Sequence, residues 1–555
     1  MPEAAGLVLG TVDSTPLEFW IGVFEGQQVQ LDDLVVVVTT APGGQRIRFY
    51  GMVDMVRKRY EGTSFDTDAF RAAAGTLPVD VSYAAHVQVT RVDPEVFIPP
   101  HPGDPAEVVR GEEFQRALSF DAMERRVAIG LTRTGQEPVY ANVEFLDGTR
   151  GAHVSISGIS GVATKTSYAS FLLYSLFHSE ALGQDVTNAK AIIFNVKGED
   201  LLWLDQPNAL LNESARAQYA RLGLPAGPFQ SVALYAPVKK GTATPIPDTG
   251  GRQQGVAPYV WTLREFGRER LLRFCFAEGD DPRAQISFII DRVESALERA
   301  AREGDPRDPW LTLEGVSLRS FEELVDVLES PVLEGLVPRD TAAGTLGAFR
   351  RRLHAAAFRM GHLVRGDDAA RGRGIAWEAQ QVTVVDIHKL HSAAQMFVVG
   401  VLLKRLMEHK EAQGTSRPLL FVVLDELNKY APREGWSPIR EVLLDIAERG
   451  RSLGVCLFGA QQTASEVERR VVANASLKVV GRLDSAESER GEYGFLTKVA
   501  RLRSTLLQPG SMIVAQPEIP TPILLGFPFP AWATRQSEVA ATPGPAGDPF
   551  RRVRE

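Results

Sequence analysis

Cysteine is nearly absent. Only Cys275 and Cys456 occur in 555 residues, and both sit in apolar runs. That argues against a disulfide-held scaffold or a thiolate metal site and predicts two reduced core residues. Histidine is scarce as well, with nine residues. His153, His388 and His391 have no Cys or carboxylate partners at metal-ligand spacing and are expected to be structural. No apolar run is long enough to span a bilayer; Phe397–Leu403 is typical. The opening MPEAAGLVLG lacks a basic start and a long apolar stretch, so neither a signal peptide nor a membrane partner is expected, and the expected location is the cytoplasm. Positive charge is not in excess: 61 Lys and Arg stand against 69 Asp and Glu, a net charge of −8. The chain as a whole does not advertise nucleic-acid binding, although a local basic groove remains compatible with it. There is no Gly-x-Ser-x-Gly elbow and no Ser-His-Asp pattern, which argues against nucleophilic hydrolase chemistry.

What is present is an α/β pattern on a chain long enough for several domains. Residues 1–97 carry short β-type segments, Leu7–Val12, Phe19–Phe24, Leu34–Thr39, Arg46–Val56 and Ala84–Val92, punctuated by Gly, Pro and Asp. They predict a small β-barrel or sandwich. Residues 98–125 begin with the proline-rich IPPHPGDPAEVV and read as a stiff linker and a short helix. Residues 126–250 open a βα alternation, residues 251–375 turn helical, and residues 376–535 resume the alternation. This predicts a parallel, doubly wound sheet interrupted by a helical insertion. The Pro/Gly-rich and charged tail, 536–555, is expected to be disordered.

The chemistry concentrates in SISGISGVATKTS, Ser155–Ser167. A strand ends at Ile156, a loop with Gly158 and Gly161 follows, and Lys165-Thr166 opens an apolar helix. In a phosphate loop, successive backbone N–H groups cradle phosphates at a helix N-terminus. The Lys reaches the β- and γ-phosphates and the Thr hydroxyl sits on Mg²⁺. The candidate nucleotide-binding residues are Gly158, Gly161, Val162, Ala163, Thr164, Lys165, Thr166 and Ser167. The pattern departs from the strict one: Thr164 precedes the Lys where Gly is usual, and the first Gly is at 158 rather than 159. An ordinary Gly/Ser-rich βα turn is the alternative reading.

PLLFVVLDEL, Pro418–Leu427, is the strongest single signal. A strand buried on both faces delivers Asp425 and Glu426 at its C-terminal end, the edge where parallel sheets bind ligands. Asp425 is placed to share the Mg²⁺ shell with Thr166, and Glu426 to act as general base on an attacking water. Gln461, at the end of GVCLFGAQ, is a candidate for sensing the γ-phosphate or orienting water; a strand-end amide capping the next helix is the plainer alternative. Arg449, Arg451 and Arg482 are candidates to stabilise transition-state charge, in cis or from a neighbouring subunit. Spacing does not decide among them.

In this order the motifs resemble the HerA-type ATPases of the HerA/FtsK superfamily, over nearly the whole chain. The N-terminal β region resembles the HAS-barrel of that family. FNVKGED resembles its strand-then-DxKGE segment, with Asn195 where Asp is usual. VVDI, FVVLDEL, RGRSLGV and AQQTASEV follow in family order, and LQPGSMIVAQPEIPTPILLGFPFPAW resembles its C-terminal segment. The resemblance implies a RecA-like P-loop motor behind a HAS-barrel. It implies a homo-hexameric ring that hydrolyses ATP with Mg²⁺, or Mn²⁺ in its place, and drives duplex DNA through a central pore. Helicase or translocase action in DNA end resection, double-strand break repair and homologous recombination, with a NurA-type nuclease as partner, follows from the same resemblance. Glu426 and Gln461 would be catalytic, with Arg482 or Arg451 acting in trans. The alternatives are a nucleotide-binding ring scaffold and the motor of a phage-defence or DNA-pumping complex.

Overall fold

The computed structural model describes residues 4–63, 65–134, 136–159, 165–276, 285–329, 331–435 and 437–539. Six strands form a closed N-terminal barrel: β1 (Gly6–Val8), β2 (Glu18–Val23), β3 (Leu34–Thr40), β4 (Arg46–Tyr60), β5 (Val81–Asp93) and β6 (Pro105–Val108), in the order β1-β2-β5-β4-β3-β6. Alternation along each strand sorts its side chains. Val35 and Val37 point into the barrel with Phe19, Ile21 and Phe49. Leu34 and Val36 point out, against Phe114 and Phe120 of the following segment. The proline-rich stretch is more than a linker, because it contributes β6, which closes the barrel between β1 and β3. Pro105 is the first residue of that strand, where a missing N–H is tolerated.

The rest of the chain is built on a twelve-stranded sheet. Its strands are β7 (Arg126–Thr132), β8 (Pro138–Asn142), β9 (Val154–Ser157), β10 (Lys190–Asn195), β11 (Val232–Pro237) and β12 (Val256–Tyr259) from the first half. Between the halves lie two short pairs, formed by β13 (Trp261–Thr262) with β16 (Val364–Arg365) and by the hairpin β14 (Leu311–Leu313) with β15 (Val316–Leu318). The second half adds β17 (Val382–Asp386), β18 (Leu420–Leu424), β19 (Val455–Gln461), β20 (Leu477–Val480), β21 (Ser511–Ala515) and β22 (Ile523–Gly526). The order is β12-β11-β17-β10-β18-β19-β9-β20-β21-β22-β7-β8. The run from β12 to β20 is parallel, and the last strands are antiparallel. The α/β class and the N-terminal barrel read from the sequence are therefore the observed ones.

The continuous apolar runs follow from burial on both faces. In β18, Leu420, Val422 and Leu424 join one core, while Phe421 and Val423 join the other. The stretch 251–375 is largely helical, with helices Gln285–Arg302 and Ala343–Met360 as its longest. At the start of this stretch, the helix Leu263–Arg268 is followed by a separate 3₁₀ turn, Leu272–Phe276. The break falls at Arg270, whose φ of +56° cannot continue a helix. Among the described residues no helix is long and apolar enough to cross a membrane. The first residues of the segment expected to be a disordered tail, 536–539, are ordered. Gln536–Glu538 forms a 3₁₀ turn, and buried Glu538 accepts from the Thr534 N–H at 2.8 Å and from Asn208 Nδ2 at 3.3 Å. Residues 540–555 lie outside the described residues.

Candidate nucleotide site

All the motif strands end on one edge of the parallel sheet. In register, Ser157 lies opposite Gln461, Leu424 opposite Gly459, and Asn195 opposite Asp386. The strand carrying Gln461 is inserted between the phosphate-loop strand β9 and the acidic strand β18. That insertion leaves one strand's width between loop and carboxylates, room for a phosphate and its cation.

The loop leaves β9 under tight control. The Gly158 N–H donates to the Gln461 carbonyl at 3.2 Å, and the Ile159 N–H to the Arg482 carbonyl at 2.8 Å. A Cβ on Gly158 would stand 3.3 Å from the Arg482 carbonyl oxygen, a tight contact that favours a residue without a side chain there. Gly161, Val162, Ala163 and Thr164 lie outside the described residues. The helix Lys165–His178 begins at the lysine itself. Lys165 is buried, and its ammonium donates to the Gly158 carbonyl at 2.5 Å, spanning the loop. Burial is the main force that pushes Lys165 down to about 8; Asp425 opposes it and Lys197 adds to it. An anion between loop and helix would reverse that shift.

At the acidic strand end, the Thr166 hydroxyl donates to Asp425 Oδ2 at 3.0 Å, and Asp425 Oδ1 accepts from the Glu426 N–H at 2.8 Å. Glu426 has φ +57°, the left-handed region that non-glycine residues rarely occupy, and it precedes the short helix Leu427–Tyr430. Lys197, in the turn after β10, sets its ammonium 3.4 Å from Asp425 Oδ2 and 3.3 Å from Glu426 Oε1. Sequence reasoning assigned Lys197 no role at the site. Its signal was present only in the neighbour relation of β10 and β18, which spacing along the chain does not contain.

Lys165, Thr166, Asp425 and Lys197 line a cleft of about 180 Å³ with Ser167, Asp200, Trp532 and Arg535, and Glu426 stands just outside that lining. A larger cavity of about 560 Å³ lies at the opposite edge of the sheet, around Lys190, Trp377 and Arg417, and none of the candidate site residues lines it. Thr166 Oγ1 and Asp425 Oδ2 are hard oxygen donors side by side, a donor pair that fits Mg²⁺. Among the described residues no group of three His, Cys, Asp or Glu could hold a metal. The fit is thus to an ion that brings the rest of its shell as phosphate and water.

The remaining candidates are placed differently. Gln461 is fully buried, and its Nε2 donates to Ser155 Oγ at 2.8 Å and Ser157 Oγ at 2.9 Å. Val154 and Ile156 alternate onto the other face, so the two serines share a face with this amide. Gln461 Oε1 has no partner among the described residues, and the side chain is outside the cleft lining. Arg482 is exposed next to the loop, and its guanidinium has no partner among the described residues. Arg451 sits at the opposite edge, donating to the carbonyls of Gly148 at 3.1 Å and Thr149 at 2.8 Å. Arg449 pairs with Asp445 and Glu411. Asn195 donates to Asp386 Oδ1 at 2.9 Å and to the Gly198 carbonyl at 2.8 Å; a carboxylate in its place would face Asp386 instead of bonding to it. His388 Nδ1 lies 2.8 Å from the same Asp386 oxygen, and this bond is the main cause of its raised pKa.

No family model matches the chain, and no curated protein does. Among solved structures, VirB4 of Thermoanaerobacter pseudethanolicus aligns at 15% identity over 76% of this chain and 98% of that one, with a TM-score of 0.45. The plasmid coupling protein TrwB with a non-hydrolysable ATP analogue aligns at 13% identity over 78% and 96%, with a TM-score of 0.48. The genome packaging NTPase B204 from Sulfolobus turreted icosahedral virus 2, with ATP-gammaS, aligns at 16% identity over 27% and 70%, with a TM-score of 0.21. Likeness at this level assigns no activity.

Proposed function

We propose that this chain is a Mg²⁺-dependent P-loop ATPase of HerA type, a ring-forming motor acting on duplex DNA. The observation that carries the reading is the meeting of Lys165, Thr166, Asp425 and Glu426 at one sheet edge, from segments about 260 residues apart. Lys165 binds and neutralises phosphate. Thr166 and Asp425 hold the metal, which when bound supplies charge neutralisation at the phosphates. Glu426 takes the proton of the attacking water. Gln461, with its free oxygen, and an arginine from a neighbouring copy, Arg482 or Arg451, complete the machinery. A homo-hexamer with a HAS-barrel, partnership with a NurA-type nuclease and a role in DNA repair belong to the same reading, supported by the family-ordered motifs. So does residence in the cytoplasm.

The deciding experiment is ATP turnover with linear duplex DNA on Glu426→Gln and unsubstituted protein. Turnover in the variant should fall by about 100-fold or more, the usual contribution of a general base. Equal turnover would sink the assignment. Thr164 in front of Lys165 motivates a second reading, a ring scaffold that binds nucleotide without using it. Steady DNA-stimulated turnover by the unsubstituted protein excludes it.

A further inference from the structure

We propose that Lys197 is a positioning residue of this site: a resident counter-cation that holds Asp425 and Glu426 together and gives way when metal and phosphate enter. The proposal rests on the ATPase reading above. Lys197 Nζ lies 3.4 Å from Asp425 Oδ2 and 3.3 Å from Glu426 Oε1, bridging the residue assigned to the metal and the residue assigned to water. Both contacts are looser than a good N–H···O bond, so the ammonium acts as a point charge and not as a fixed ligand. Its side chain is 45% exposed, whereas that of Asp425 is 6% exposed. The carboxylate is fixed and the cation is the movable partner.

One oxygen makes the two cations mutually exclusive. Asp425 Oδ2 is the atom that accepts from the Thr166 hydroxyl at 3.0 Å, and it is also the Asp425 oxygen that pairs with the Lys197 ammonium. A divalent ion held by Thr166 and Asp425 must take that oxygen. Like charges so close repel strongly in a half-buried site, so Lys197 must leave it. Lys197 lines the same cleft as Lys165 and Thr166, and an incoming triphosphate supplies the negative charge that can receive it. The charge of the acidic pair is thereby partly offset without ligand, and Glu426 is released to bind water only when the triphosphate is in place.

This differs in sign from an ordinary surface ion pair. A lysine that merely braces the strand end should, on removal, weaken metal and nucleotide binding together. A lysine that competes with the metal should, on removal, ease metal entry while slowing turnover. The test uses the full chain with Lys197→Met, which keeps the length and removes the charge, and Lys197→Arg, which keeps the charge. The binding readout is the Mg²⁺ concentration for half-maximal binding of a non-hydrolysable ATP analogue, by calorimetry. K197M should lower that midpoint by about threefold to tenfold, the size of one partly screened charge, and K197R should stay near the unsubstituted protein. In steady state K197M should lose about tenfold or more in kcat without a rise in KM for Mg-ATP. A midpoint that is unchanged or raised in K197M, or an unchanged kcat, overturns the proposal while leaving the ATPase reading intact. Failure of the unsubstituted protein to bind the analogue at any Mg²⁺ concentration overturns both.

Discussion

His153 is the residue whose burial has the plainest energetic consequence. It is 3% exposed, its Nδ1 accepts the Leu457 N–H at 3.0 Å, and its Nε2 has no partner among the described residues. Desolvation pushes its pKa down to about 4. The unfolded chain, with histidine near 6.5, therefore binds more protons than the folded one between those values, and stability falls as pH drops through that window. The loss by pH 4 is about 3 kcal/mol from this residue alone. Urea unfolding of unsubstituted protein and His153→Asn at pH 7 and pH 4.5 checks it: the variant should lose less stability between the two. At this scale the sequence was informative about chemistry and silent about pairing. Asp425, Glu426, Lys165 and Thr166 could be named from their strand ends. Lys197 could not, because its role depends on which strand lies beside β18. The inward turn of Gln461 was equally hidden, since it depends on two serines of β9 facing the same side of the sheet.

Elements were legible where burial imposes a pattern. Strand β18 reads as an unbroken apolar run because its alternate residues serve two cores. Strand β6 was not legible: its four residues follow a proline cluster, and only the open edge of the barrel between β1 and β3 makes them a strand. The link between helix and β19 offers a direct test. The helix Pro438–Leu453 ends at Gly454 with φ +72°, and a Cβ there would stand 1.9 Å from the Ser416 carbonyl oxygen. Both the backbone conformation and the contact exclude a side chain. Gly454→Ala should therefore destabilise by roughly 2 kcal/mol or more, through strain at the entry to the strand that carries Gln461. Thermal unfolding of the variant measures it, and an unchanged transition would show that the helix end can rearrange at no cost.

For the whole molecule, the cleft ties distant parts together. Trp532 and Arg535 line it from the C-terminal segment, Lys165 from the loop helix, and Asp425 from the centre of the sheet. The barrel is joined to the same body by Arg503, which grips Asp32 through two bonds of 2.7 and 2.6 Å. A ligand in the cleft should therefore stabilise most of the chain. At a hundredfold excess over its dissociation constant, a Mg²⁺-bound ATP analogue should add about 2.7 kcal/mol, a rise of a few degrees in scanning calorimetry. Lys165→Ala should abolish the rise without lowering the ligand-free transition by a comparable amount, because burying this ammonium is itself unfavourable.

The position of β9 also dictates an order of events during synthesis. Its neighbours in the sheet are β19 and β20, and the bond from Gln461 to Ser155 spans 306 residues. At a ribosome's pace of about 5–20 residues per second, the emerging phosphate-loop strand waits roughly 15–60 seconds for its neighbours. The barrel needs nothing beyond Val109 for its own core and can close long before. The nascent chain therefore passes through a stage with a finished barrel and unpaired β9 and β10. That stage is where a chaperone would be needed, and where a slowed codon run upstream of β19 would cost the most active protein.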